Sequence, residues 1–317
     1  MKTMTMRMIP LGLVTGVALT VGSTFMPPVN VQAATATPHP KIVWGANRST
    51  WPKYKTAVPD ARGVRIYYDS EDPAKWPTSW PSGAGTNYQL VSMRPDPWPL
   101  LHHKYDAYFN ALFATAPAHS LFTIWHENAV GNDPLGYSGA VRNPAIYRAM
   151  QTYMEHLVQG TRVRFGTIGC GPVNQAEQWY APQLDWYGYD LYLNDRYLNG
   201  GGLRKADVLP EATSGGTLSE AKVWARMTAN LDALKKVSHE RYPLLRLGES
   251  NASPDSYRKN WFTYVAAWFA THDANRPAWI LTFWRDGKSA KDGGLSGPWP
   301  PSLSVKKRLR YLAQVDH

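Results

Sequence analysis

The sequence predicts a single-domain α/β fold, a (β/α)8 TIM barrel, from three observations. Eight short apolar or β-branched runs recur along the 317-residue chain. Helix-length amphipathic segments separate the later runs, and together they fill the roughly 250 residues that such a barrel needs. The runs are Ile42-Val43-Trp44, Val64 to Tyr68, Tyr88 to Met93, Leu121 to Trp125, Arg164 to Ile168, Leu184 to Tyr189, Leu244 to Leu247 and Ala278 to Trp284. Each is bounded by Gly, Pro, Asp or Asn, as buried strands usually are. A doubly wound open sheet is the competing arrangement. Its usual nucleotide-binding reasons are missing: no Gly-rich loop follows the first run, and no GxxxxGK[ST] occurs.

Taken in order, residues 1–33 read as a cleavable signal peptide. Lys2 and Arg7 form a positive start, Ile9 to Val21 an apolar stretch, and Val31-Gln32-Ala33 a small-residue cleavage site, with Ala34-Thr35-Ala36 as a second candidate. The apolar stretch falls short of the ~20 residues that span a bilayer, and no later segment reaches that length. Residues 34–40 form an Ala/Thr/Pro linker, and 41–317 the (β/α)8 catalytic domain. The expectation is a secreted monomer without stable membrane insertion. The first two inter-strand segments, Arg48 to Arg62 and Ser70 to Asn87, are rich in Pro, Trp and Ser and read as irregular. Helices are predicted at Pro97 to Thr115, Asn143 to Gln159 (opening Asn-Pro), Ser219 to Val237, Ser253 to His272 and Val305 to Ala313.

Composition narrows the function. A chain that is 44% hydrophobic and 13% aromatic buries too much surface to be disordered. The single cysteine, Cys170, excludes an internal disulfide, a four-thiolate zinc site and a CxxC redox pair. The net charge of +10 is spread in pairs such as Lys235-Lys236 and Lys306-Lys307 rather than blocked into a run. Without a basic-aromatic stripe, nucleic acid is not an expected partner.

In such barrels the chemistry sits where strands run into the following loops. The fourth run ends Trp125-His126-Glu127-Asn128, and the seventh continues Arg246-Leu247-Gly248-Glu249-Ser250-Asn251. Glu127 and Glu249 thus stand at two strand tips of one rim. A pair of carboxylates, one protonated and one ionised, is what glycosidic bond cleavage requires. The plain alternative is that each caps a helix or pairs with a rim arginine. A tyrosine of the Gly188-Tyr189-Asp190-Leu191-Tyr192 stretch could give its hydroxyl to the ionised carboxylate. Trp284 could floor a sugar ring, and His126 could tune the acid. Arg65 interrupts an apolar strand; it either reaches inward to hold a carboxylate or pairs with Asp69. No second His or Cys lies at ligand spacing from His126, so no metal or other cofactor is expected. The near misses Gly136-Tyr137-Ser138-Gly139 and Gly294-Leu295-Ser296-Gly297 are not GxSxG elbows, which counts against an esterase.

These strand ends resemble those of the retaining (β/α)8 glycoside hydrolases of clan A. The His126-Glu127 pair and the Gly188 to Tyr192 stretch are similar to glycoside hydrolase family 26, which includes endo-β-1,4-mannanases. The resemblance implies Glu127 as acid/base, Glu249 as nucleophile, Tyr192 as its hydroxyl partner, and His126 and Trp284 as subsite residues. It further implies an endo-acting hydrolase of a β-linked polysaccharide or oligosaccharide, such as mannan or β-glucan, by double displacement. A non-catalytic barrel that binds polysaccharide or the cell envelope is the alternative, and the sugar and linkage stay open.

Overall fold

The computed structural model describes residues 42–82, 85–126, 143–169, 176–194, 213–214, 217–238, 245–253, 255–272, 278–282, 284–286, 297–299 and 301–315. The expected signal peptide and linker lie outside the described residues. Strands β1 (Ile42–Asn47), β2 (Gly63–Tyr68), β3 (Tyr88–Met93), β4 (Ser120–Ile124), β5 (Val163–Gly169) and β6 (Trp186–Asn194) follow one another. After a small antiparallel pair, β7 (Thr213–Ser214) with β8 (Thr217–Leu218), come β9 (Leu245–Ser253) and β10 (Ala278–Thr282). The first six strands, β9 and β10 each pair in parallel with two neighbours. Because β1 bonds to both β2 and β10, the sheet closes into a barrel in the order β1-β10-β9-β6-β5-β4-β3-β2.

The helices lie outside this ring: α1 (Trp51–Ala57), α2 (Pro97–Leu101), α3 (Asp106–Ala114), α4 (Pro144–Val158), α5 (Ala176–Trp179), α6 (Glu220–Val237), α7 (Asp255–His272) and α8 (Leu303–Val315). Helix α4 starts where the sequence says it should. The Asn143 side chain accepts the Ala145 amide at 2.9 Å, and Pro144 takes the position where no amide partner is needed.

Three expectations need correction. The segment Arg48 to Arg62 is not irregular throughout, since it contains α1. Pro97 to Thr115 is not one helix: His103 takes φ +63° in the left-handed region and separates α2 from α3. Its ring nitrogen lies 2.8 Å from the Tyr153 hydroxyl of α4, which also donates to Asp106, so tertiary bonds hold the break open. The eighth run is also interrupted. Trp284 belongs to β11 (Trp284–Asp286), which pairs with β12 (Gly297–Trp299) and not with the barrel.

The connection from β2 to β3 contains, among the described residues, only a 3-10 turn at Pro73–Lys75. Two buried indoles take the place of a helix there. The Trp76 ring lies 4.9 Å from that of Tyr105, and the Trp80 ring 6.4 Å from that of Phe122.

Strand alternation divides the core. Outward residues such as Trp44, Val64, Phe122 and Tyr187 join the helices in the larger cluster. Inward residues Val43, Leu90, Leu121, Ile168, Trp186, Trp279 and Leu281 form a separate apolar plug. Their bulk is accommodated by glycine. A Cβ on Gly166 would meet the Trp186 ring at 2.2 Å, and one on Gly45 would meet the Gly63 carbonyl oxygen at 2.0 Å.

Candidate functional site

Above the apolar plug the barrel interior turns polar. Arg65, at the third position of β2, is fully buried and does not follow the hydrophobic pattern of its neighbours. Its Nη1 donates to Asp190 Oδ1 of β6 at 3.1 Å, and its Nε donates to Ser92 Oγ of β3 at 3.3 Å. The two charges are 1% and 0% exposed, so each depends on the other to offset its desolvation. Of the two readings of Arg65, the inward one holds; Asp69 lies instead 3.5 Å from Arg94 Nε on the rim. Nearby on that rim, burial and then the Asp96 charge raise the Glu71 carboxyl above its ordinary value, while Arg94 opposes them.

The Arg65 guanidinium also covers the Tyr67 ring, 4.7 Å from its centroid. Two residues apart on one strand, Arg65 and Tyr67 share the inner face. Tyr67 in turn meets His126 edge-on, with centroids 5.3 Å apart and planes at 60°. The position of His126 is set by the residue before it. Trp125 has φ +45°, which costs a β-carbon-bearing residue roughly 1–2 kcal/mol. Surrounding bonds hold it there. The Trp125 amide donates to Met93 O at 2.9 Å, its indole Nε1 to Pro95 O at 2.7 Å, and the Tyr147 hydroxyl lies 3.1 Å from Trp125 O. The result is that β4 ends in a sharp turn and the buried His126 packs against Tyr67 at the mouth.

On the opposite side, β6 and β9 place Asp190 in register with Glu249, and Tyr192 with Asn251. The register slips by one residue between Tyr189 and Asp190, leaving Gly248 as the extra residue of β9. The pairing of β9 with β10 slips over the same stretch. Such a bulge moves one strand a step along its neighbours and commonly occurs beside active sites. Ser250, just beyond, is buried and accepts from the Trp261 indole at 3.0 Å, tying β9 to α7.

The structure thus brings Arg65 and His126 together through Tyr67, and puts the Glu249 position beside the Asp190 that Arg65 holds. Tyr192 is two residues along β6 from Asp190. Glu127 and Cys170 lie outside the described residues. Trp284, in the β11–β12 pair, is not the tip of a barrel strand. Reasoning from sequence missed Tyr67, Ser92 and Asp190. The signal for Asp190 was available: an acid inside an otherwise apolar and aromatic run. Among the described residues no group of three His, Cys, Asp or Glu could hold a metal ion.

No protein-family model matches the chain, and no curated protein matches it. Solved structures do. A broad-specificity endoglucanase from Clostridium longisporum, of subfamily 4 of glycoside hydrolase family 5, is similar with a TM-score of 0.53 at 12% identity. The match covers 85% of this chain and 86% of that one. A tri-modular endo-β-1,4-glucanase of the same subfamily from Bacillus licheniformis, complexed with cellotetraose, gives 0.50 at 13% identity, over 86% of this chain and 59% of the other. What is shared is the barrel. Both relatives belong to family 5, so the resemblance to family 26 stands on the quoted strand ends alone.

Proposed function

We propose that the chain is a secreted, monomeric retaining β-glycoside hydrolase, endo-acting on a β-linked glucan or mannan. The observation that carries this reading is the buried Arg65–Asp190 pair, set in register beside Glu249 inside the barrel mouth. A cation buried at that level favours ionised carboxylates around it, the state a nucleophile needs. The fold it shares with the two endoglucanases supports the same reading.

In this mechanism Glu127 donates a proton to the glycosidic oxygen while Glu249 attacks the anomeric carbon. Glu127 then takes a proton from water as the water releases the glycosyl-enzyme. Tyr192 gives a hydroxyl to Glu249 and keeps it ionised. His126, braced by Tyr67, borders the acid, and Trp284 contributes to a sugar subsite.

Measuring reducing ends released from mannan, mixed-linkage glucan, xylan and bacterial wall polymers tests the assignment. Wild type should cleave at least one of them. Glu249→Ala should lose on the order of 10⁴-fold in kcat while still folding and binding oligosaccharide. Full turnover in that variant removes Glu249 from the mechanism. Oligosaccharide binding by wild type with no cleavage of any polymer turns the protein into a binding barrel.

A further inference from the structure

The positive charge that looks scattered in the sequence is gathered by the fold. Helices α1, α7 and α8 together carry eight Lys or Arg against one Asp, within a chain whose whole net charge is +10. They are neighbours on one flank. Arg308 Nε of α8 donates to Thr263 Oγ1 of α7 at 2.8 Å, and Arg310 Nε of α8 donates to Ala57 O of α1 at 3.1 Å. The second bond sets the alignment of α1 with α8. One turn before Ala57 is Lys53, and one turn before Arg310 is Lys306, so both cations lie along the sides on which α1 and α8 meet. One turn before Thr263 is Lys259, on the side of α7 that faces α8. Lys53, Lys259, Lys307 and Arg310 are exposed, whereas Lys55 and Arg258 turn inward. Asp60, just past α1, acts on Lys55.

Amid these cations stands an exposed aromatic ring. Tyr311 is 52% exposed, and the Arg308 guanidinium lies 5.1 Å from its ring centroid. Point charges alone would suit any polyanion. A solvent-facing ring beside them adds a surface on which a pyranose can stack. We infer that this flank is a second binding surface, separate from the barrel mouth, for a linear polysaccharide bearing carboxylate groups. Binding displaces the counterions that these cations collect, so affinity falls with salt. The surface is independent of whether the mouth hydrolyses anything.

The test measures binding of the full chain to polygalacturonate by sedimentation or calorimetry over a salt series. Dextran serves as the neutral control; polyphosphate and single-stranded DNA of matched charge serve as rival polyanions. Wild type should bind polygalacturonate at low salt and ignore dextran. Lys306→Gln/Lys307→Gln/Arg310→Gln should bind at least tenfold more weakly, and Lys235→Gln/Lys236→Gln on α6 within twofold of wild type. Arg310 also bonds α1, so Lys53→Gln/Lys307→Gln provides a variant that keeps the inter-helix bond. It should reduce the slope of log K against log salt by on the order of 0.7 per cation. Tyr311→Ala should weaken polygalacturonate binding severalfold and leave polyphosphate binding unchanged. No binding by wild type, equal losses in the α6 variant, or tighter binding to polyphosphate or DNA would each overturn the inference. Hydrolysis plays no part in these readouts, so they stand or fall apart from the catalytic assignment.

Discussion

The two ends of the barrel interior are built from the same strands and do opposite things. The lower part is a dry plug of Val43, Leu121, Trp186, Trp279 and Leu281, with glycines at 45 and 166 making room for the largest side chains. The upper part holds a buried ion pair, a serine hydroxyl, a tyrosine and a histidine. Carboxyl groups feel the contrast most. Asp190, above, has a guanidinium 3.1 Å away. Glu155 of α4, below, is half-buried near Asp185, the residue before β6, and Arg164 there is largely exposed. Burial and then the Asp185 charge push Glu155 up to about 7, with Arg164 giving only partial relief. The Arg65 guanidinium favours the ionised form of Asp190 inside the mouth, whereas the surroundings of Glu155, on the outer helix α4, favour its neutral form.

Removing the cation from the upper layer breaks this contrast most severely. Arg65→Met takes the guanidinium away from the buried Asp190 carboxylate, and should lower the unfolding free energy by about 3–5 kcal/mol in urea titrations. Adding Asp190→Leu should restore much of that stability, because the pair is then replaced by apolar groups of similar bulk. Failure of the double variant to recover would mean that Arg65 contributes through Ser92 and Tyr67 rather than through Asp190. A smaller break is made in the plug. Gly166→Ala drives a methyl into the Trp186 ring and backbone, and should cost about 1–3 kcal/mol with the polar layer untouched.

The smallest effect sharpens the comparison through pH. Glu155 has a folded value near 7 against 4.5 for the free side chain, so the folded state prefers its protonated form. Its contribution is complete below pH 4.5 and is lost as pH rises through 7. Glu155→Gln should remove that decline and leave the variant more stable than wild type above pH 7. Because the group is partly exposed, the gain is on the order of 1 kcal/mol after screening. Parallel melting curves of the two proteins from pH 4 to 8 would contradict the assignment.

Much of the barrel was legible because strands buried on both faces read as short, largely apolar runs bounded by turn residues: Tyr88 to Met93 matches β3 at both ends. The departures arise where tertiary contacts override local pattern. Nothing in the Pro97 to Thr115 periodicity signals that Tyr153, fifty residues away, will hold His103 in the left-handed region. Likewise the Ala278 to Trp284 run reads continuously, yet Trp284 pairs with Gly297 outside the ring. At the mouth, His126 was visible as the neighbour of Glu127 at a strand end, and Arg65 as a polar residue breaking an apolar run. Asp190 was visible for the same reason but lacked a partner within reach in sequence; 125 residues separate it from Arg65. The Gly248 slip is a property of three strands together and cannot be read from one.

The stretch between β2 and β3 seals the outside of the barrel with Trp76 and Trp80 where a helix would otherwise lie. The Trp80 amide and indole are fixed to Thr115 and Gln89, and the Trp76 indole to Ser70. Two indoles so placed can report optically on that one side, once their emission is separated from that of the other indoles among the chain's 14 Trp by replacing each with Phe.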